Sequence, residues 1–253
     1  MSIDGPLPFL MHTEEELPKF RAATFFTKEP ETIKWLDDNL KNCSTPALFI
    51  DIGANIGIYS LYAASINRKV SIVAVEPIDA NVTELNRNVI LNGFSNSISV
   101  THLALSDISC RGLMQISDER IGSSGAQILK SADSEDGATI VLTGDELVSN
   151  LMRENDQTWT TIMLKVDTDG NELDVLRGFE QCFSKSLVST CLCETHPSNR
   201  VGIGRFMSDH KLSENFGYLN LTGHSNLRRI EKGRSERTKI YCSATWRPNI
   251  QSE

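Results

Sequence analysis

The sequence predicts an α/β protein: a doubly wound, mostly parallel sheet with helices on both faces and a hairpin insertion. Three observations carry that expectation. Short, continuously apolar runs alternate with helical segments from residue 48 to about residue 210, the rhythm of a parallel sheet. A polar, Ser/Gly-rich stretch from about Asp107 to Thr143 interrupts it, with two short alternating runs at Leu113–Ile116 and Thr139–Leu142. The chain length of 253 residues suits one enzyme-sized domain, here residues 29–253, behind an N-terminal arm, residues 1–28.

Taken in order, the arm reads as irregular over its first 25 or so residues. Pro30 opens a helix to about Leu40, with Ile33, Leu36 and Leu40 on one face. Leu48–Ile50 is a strand running into a glycine-rich turn, Ile58–Ile66 an apolar helix and Ser71–Val75 a second buried strand. A helix follows over Asp79–Leu91, with Asp79 as its cap, Val82, Leu85 and Val89 on one face and Gly93 as its stop. Ile98–Leu103 is a third strand. After the insertion come a strand at Thr161–Val166, a helix at Asn171–Phe183, a strand at Leu187–Cys193 and a helix near Val201–His210. Two last strands, near Tyr218–Leu221 and Lys239–Ser243, enclose a charged loop. Ligands of such a sheet bind at the carboxyl ends of its strands.

Composition removes several classes. With 40% hydrophobic and 23% charged residues, the chain is neither disordered nor collagen-like. A net charge of −8 argues against a global nucleic-acid footprint. Six cysteines read as reduced thiols. No secretory leader pattern or membrane-spanning run is seen, so a soluble, cytoplasmic protein with no membrane partner is expected.

The strongest local signal is Phe49-Ile50-Asp51-Ile52-Gly53-Ala54-Asn55-Ile56-Gly57. A strand enters a tight turn that opens a helix, where glycines let the backbone approach a ligand and the exposed N–H groups of the next helix favour an anion. Glu76, nineteen residues after Gly57, ends the next strand, where an acid can accept hydrogen bonds from ribose hydroxyls. A dinucleotide site would need glycines where Asn55 and Ile58 stand. That disfavours a nicotinamide-linked oxidoreductase. S-adenosylmethionine, with a ribose and an amino-acid tail but no pyrophosphate, has no such need.

The stretch Asp51–Gly57 resembles the first motif of the FkbM-type S-adenosylmethionine-dependent methyltransferases. Further pieces match in order: Glu76-Pro77, then Leu85 with Asn88 and Asn92-Gly93, then Ala104-Leu105-Ser106-Asp107. Leu164-Lys165-Val166-Asp167-Thr168-Asp169-Gly170-Asn171-Glu172, Val175-Leu176-Arg177-Gly178 and Glu194-Thr195-His196 complete the match over roughly residues 29–196. Asp169 stands where that family usually has Glu. The resemblance implies a class I, Rossmann-like methyltransferase fold with S-adenosylmethionine as cofactor. It assigns Asp51, Gly53, Asn55 and Gly57 to the methionine part, Glu76 to the ribose, and the Ala104–Asp107 turn to the adenine.

Asp167, Asp169, Glu172 and Glu194 form an acid-rich edge beside that cleft. Methyl transfer to a hydroxyl needs alignment and a proton acceptor, and Asp167 and His196 are the candidate catalytic residues. No metal site is expected: Asp167-x-Asp169-Gly170 lacks the spacing of a calcium loop, and Cys191-x-Cys193 has no second pair. Between Arg228 and Lys239, six basic residues stand against Glu231 and Glu236, which leaves open an anionic acceptor group. The expected function is O-methylation of a small-metabolite or glycan hydroxyl, with no nucleic-acid partner. A non-catalytic, cofactor-binding regulatory protein is the reading outside enzymes.

Overall fold

Leu48, Ile50 and Ile52 of one strand enter one apolar cluster, while Ala47 and Phe49 of the same strand enter another. A strand that is apolar on both faces must be covered on both, and this requirement organises the fold. The structure, a computed structural model, describes residues 1–3, 8–43, 46–130, 138–155, 158–215 and 242–248.

A two-stranded ribbon, β1 (Ser2–Ile3) and β2 (Phe9–Leu10), precedes helices α1 (Glu16–Lys28) and α2 (Pro30–Leu40). Then come β3 (Ala47–Ile52), α3 (Ile58–Ile66), β4 (Ser71–Val75), α4 (Asp79–Leu91) and β5 (Ile98–Thr101). The insertion holds β6 (Ala104–Leu105), β7 (Cys110–Gln115), β8 (Gln127–Lys130) and β9 (Ala138–Leu142), and leads into α5 (Gly144–Asn155). The second half is β10 (Thr161–Val166), α6 (Glu172–Arg177), α7 (Glu180–Ser184), β11 (Val188–Thr195), α8 (Arg200–Asp209), β12 (Leu212–Asn215) and β13 (Cys242–Pro248).

The described strands of the main sheet run in the order β12-β13-β11-β10-β3-β4-β5. From β11 to β5 all neighbours are parallel, and β13 lies antiparallel between β11 and β12. The expected doubly wound sheet is therefore present. The chain moves outward from β3 to β5, then returns and builds β10 and β11 on the other side. The cleft between β3 and β10 is thus the topological switch point, where such sheets bind ligands. The insertion is the expected hairpin, β7 against β9, widened by β8 and β6 into a second four-stranded sheet.

Several expectations change. The arm is not wholly irregular, because α1 buries Ala22 and Phe25 against α3, with the Phe25 ring 5.3 Å from that of Tyr62. Helix α5 occupies a stretch assigned no element. The helix expected over Asn171–Phe183 is two, broken at Gly178, and the strand expected to Leu103 ends at Thr101, so that Ala104–Leu105 joins the small sheet. Asp79 is not a cap: Ile78 occupies that position, and its N–H is accepted by Glu76 Oε1 at 3.1 Å. The strand expected near Tyr218–Leu221 and the basic run Arg228–Lys239 lie outside the described residues, and the last strand starts at Cys242.

The position between the two helices must be glycine, because a β-carbon on Gly178 would lie 2.2 Å from the Ser106 carbonyl oxygen. Substituting Gly178→Ala is expected to cost about 1–3 kcal/mol through overpacking, read by denaturant unfolding. Gly204→Ala, where an added carbon meets nothing within 4 Å, should leave stability unchanged or raise it.

Candidate active site

A cavity of about 580 Å³ opens at the switch point, a size typical of small-molecule sites. Its position follows from one close approach. A β-carbon on Gly53, whose φ is +75°, would stand 1.8 Å from the Asp167 carbonyl oxygen. Only glycine lets the turn after β3 sit against the end of β10.

Every amide of that turn is engaged within the protein. Gly53 and Ala54 donate to Val75 O, Asn55 N to Glu76 Oε2 at 2.8 Å, Ile56 N to Asn55 Oδ1, and Gly57 N to Ala54 O. The turn itself therefore offers no free amide to an anion; the helix amides expected to favour one come after it, from Ile58 onward. Glu76, only 4% exposed, also accepts from Ile78 N and from Asn81 Nδ2 at 3.2 Å. Burial raises its pKa despite these bonds. Three donors occupy a carboxylate with about four acceptor positions, so room remains for one hydroxyl from the cavity.

Lys165 is the one charged residue within β10, with its side chain 3% exposed. Its Nζ lies 3.5 Å from Asp51 Oδ1, 3.3 Å from Asp167 Oδ2 and 5.0 Å from the centre of the Tyr59 ring. Burial alone would discharge it, but Asp167 and Asp51 outweigh that and hold it protonated. Asp51 accepts Ser60 Oγ at 2.7 Å and supports Lys165 from beneath the cavity.

Val166 pairs with Cys193 across β10 and β11, so Asp167, the first residue past β10, stands beside Glu194, the last but one of β11. Their carboxyl groups hydrogen-bond to each other. Burial and the Asp167 charge push the Glu194 pKa far up. Asp167 is held low: Lys165, the Glu194 hydrogen bond and Lys28 outweigh desolvation. These opposite directions favour a protonated Glu194 beside an ionised Asp167. His196 lies behind this pair, its Nε2 3.8 Å from Glu194 Oε2.

Glu172, fully buried, organises the adjoining loop: it accepts Gly170 N at 2.8 Å, Thr168 N at 3.2 Å and Asn199 Nδ2 at 2.7 Å. Among the described residues, Glu172, Glu194 and His196 bring possible metal-ligand atoms within 4.8 Å of one another. Glu172 would have to surrender these bonds to coordinate an ion.

The roof comes from the insertion. Gly122 O accepts Arg21 Nε (2.6 Å), Gly122 N donates to Asn81 Oδ1 (2.8 Å), Ser123 O accepts Asn55 Nδ2 (2.6 Å) and Gly125 N donates to Asp169 Oδ2 (2.6 Å). Asp169 therefore has a definite job. Its left-handed backbone, φ +55°, turns a short carboxylate onto the roof loop.

Of the residues singled out in the sequence, Gly53, Asn55, Glu76, Ala104, Asp167, Asp169 and Glu194 line the cavity. Asp51, Gly57, Asp107 and His196 do not. Gly57 packs against Leu85, where a β-carbon would be 2.9 Å from Cγ, and Asp107 accepts Ser106 Oγ at 3.2 Å. Sequence reasoning gave no role to the cavity residues Arg21, Asn81 and Ser123. Lys165 carried a readable signal, a lone charge in an apolar strand.

The pattern described as Methyltransferase FkbM domain matches residues 51–220. The chain belongs to this family of S-adenosylmethionine-dependent methyltransferases. Methyltransferase sdnD of Sordaria araneosa is 27% identical over 187 residues, covering 63% of this chain and 70% of that protein. Among solved structures, the SAM-dependent methyltransferase from Agrobacterium tumefaciens superposes with a TM-score of 0.51 at 12% identity, over 98% of this chain and 70% of that one. The METTL16 MTase domain gives 0.50 at 14%, over 96% and 74%. At such identities these two share the fold with the FkbM-family chain. No helix among its described residues is long and apolar enough to cross a membrane.

Asp169→Ala should raise hydrogen exchange at the Gly125 amide about tenfold or more, the value of a charge-assisted hydrogen bond. Gly122, held by Asn81, should change less. Equal exchange at Gly125 in both proteins would remove Asp169 as a roof latch.

Proposed function

We propose that this FkbM-family protein methylates a hydroxyl on a small metabolite or glycan, with Asp167 receiving the acceptor's proton. The observation that carries this reading is the Asp167 carboxyl group in the cavity, 3.3 Å from Lys165 Nζ, on a residue whose backbone touches Gly53. The cavity fits the cofactor. Pro77, Leu103, Ala104 and Leu105 make an apolar slot for adenine next to Glu76. Glu76 keeps an acceptor position for a ribose hydroxyl, and Gly53 and Asn55 flank the methionine part, with Asp51 and Gly57 supporting them. Asp107 holds the turn at the adenine end.

When bound, S-adenosylmethionine supplies a methyl group already activated by its sulfonium leaving group. The chain's residues align the acceptor and take its proton. Lys165 and Glu194 fix Asp167 from two sides, leaving its remaining lone pairs for the acceptor O–H. The acceptor oxygen becomes strongly acidic as its bond to carbon forms, so a carboxylate of low pKa suffices. His196 acts through Glu194 as a positioning residue.

Labelled methyl transfer from S-adenosylmethionine into cell-extract fractions tests this. Asp167→Asn should lower turnover about a hundredfold or more, the usual scale for a proton acceptor, with S-adenosylhomocysteine affinity nearly kept. His196→Ala should lose less. Glu76→Ala should weaken S-adenosylhomocysteine about tenfold, one hydrogen bond to a charged group. Full activity in Asp167→Asn would sink the proposal, as would calorimetry showing NAD bound in preference to S-adenosylhomocysteine.

A further inference from the structure

The amino-acid tail of the cofactor is a zwitterion, and the glycine turn cannot neutralise it. All five turn amides from Gly53 to Gly57 are engaged internally. Among the described residues lining the cavity, the cations are Arg21, Lys28 and Lys165. Lys165 is already held by Asp51 and Asp167. Less committed are the two cations on α1, Lys28 with one carboxylate, Glu29, and Arg21 with one carbonyl, in a segment outside the family match, which starts at residue 51.

Both cations are set beside the turn by built contacts. Phe25, 3% exposed, sits between them on α1, with its ring 5.6 Å from Tyr59 and 5.3 Å from Tyr62 of α3. The Tyr59 hydroxyl donates to Glu29 Oε2 at 2.6 Å, which anchors the carboxyl end of α1 two residues beyond Gly57. Lys28 Nζ lies 3.0 Å from Glu29 Oε1. Arg21 and Asn55 flank the same point: the β-carbon position of Gly122 is 3.6 Å from Arg21 Nε and 3.7 Å from Asn55 Oδ1. Arg21 uses Nε on Gly122 O, and its two terminal nitrogens keep the fork geometry that suits a carboxylate.

We propose that α1 forms the site for the cofactor's amino-acid tail, with Arg21 and Lys28 taking its carboxylate and Glu29 its ammonium group. The inference rests on the S-adenosylmethionine reading above and makes the N-terminal helix part of the cofactor site. A free acid-and-amine tail is the chemistry recognised. The nucleoside half is left to Glu76 and the apolar slot.

Two ligands separate tail from nucleoside: S-adenosylhomocysteine, and 5′-methylthioadenosine, which keeps adenosine and thioether but lacks the tail. Calorimetry is run on the full chain with Arg21→Gln, Lys28→Met and the double variant, each checked by its melting curve. Each single variant should weaken S-adenosylhomocysteine about tenfold or more, the scale of a charged hydrogen-bonded contact, and leave 5′-methylthioadenosine within about twofold. Equal losses for both ligands would overturn the proposal, since α1 would then only shape the cavity. Unchanged affinity for both would overturn it too, with the start of α3 holding the carboxylate. Lys28→Met, which touches no roof contact, keeps the test decisive if Arg21→Gln disturbs folding. Wild-type protein that binds neither ligand would instead defeat the cofactor reading itself.

Discussion

The backbone at the ends of β3 and β10 is packed so closely that a single β-carbon at Gly53 would overlap the Asp167 carbonyl oxygen at 1.8 Å. That contact brings together the two halves of the sheet. It places the turn that follows one half against the acid that ends the other, and the cavity lies where they meet. A side chain at position 53 would force the strands apart or push the turn into the cavity. Glu76 then follows geometrically, because its carboxylate accepts the Asn55 amide and so ties the next strand to the same turn. Gly178 repeats the device between α6 and α7, where the backbone closes on the Ser106 carbonyl.

Electrostatics adds a second layer. A buried lysine between two carboxylates is costly to desolvate, and its value here is positional more than stabilising. Lys165 spans Asp51 below and Asp167 above. Lys165 thereby favours the ionised form of Asp167 over that of its neighbour Glu194, and both acids line the cavity. The roof loop depends on the same parts, since Asn55 and Asp169 each hold it with one hydrogen bond.

Much of this was legible in the residues. The spans Pro30–Leu40, Ile58–Ile66, Ser71–Val75, Asp79–Leu91 and Thr161–Val166 match the structure end to end, because each carries a clean apolar run or face between Gly, Pro or polar breaks. Helix α1 was not legible, because Phe20, Ala22, Phe25 and Phe26 distribute apolar surface around it and leave no single stripe. Helix α5 was hidden by the polar insertion before it, although Leu147, Val148 and Leu151 have helical spacing and are buried. The strand ends, and with them Asp167 and Glu76, could be placed from sequence. The roof could not, since it is made of backbone amides and carbonyls meeting side chains 41 to 101 positions away. His196 could be placed after its strand from sequence, but not the contacts that hold it there, its Nε2 3.8 Å from Glu194 Oε2 and its backbone N–H on Asn199 Oδ1 at 2.7 Å.

We propose that the switch-point cavity holds S-adenosylmethionine with its reacting end at Asp167. A crystal structure of the full chain with S-adenosylhomocysteine tests it most directly. The ribose should lie on Glu76, the adenine between Pro77 and Leu105, and the thioether sulfur should face the Asp167–Glu194 pair. Adenine at the Asp167 end, or the ligand bound outside this cavity, would contradict it.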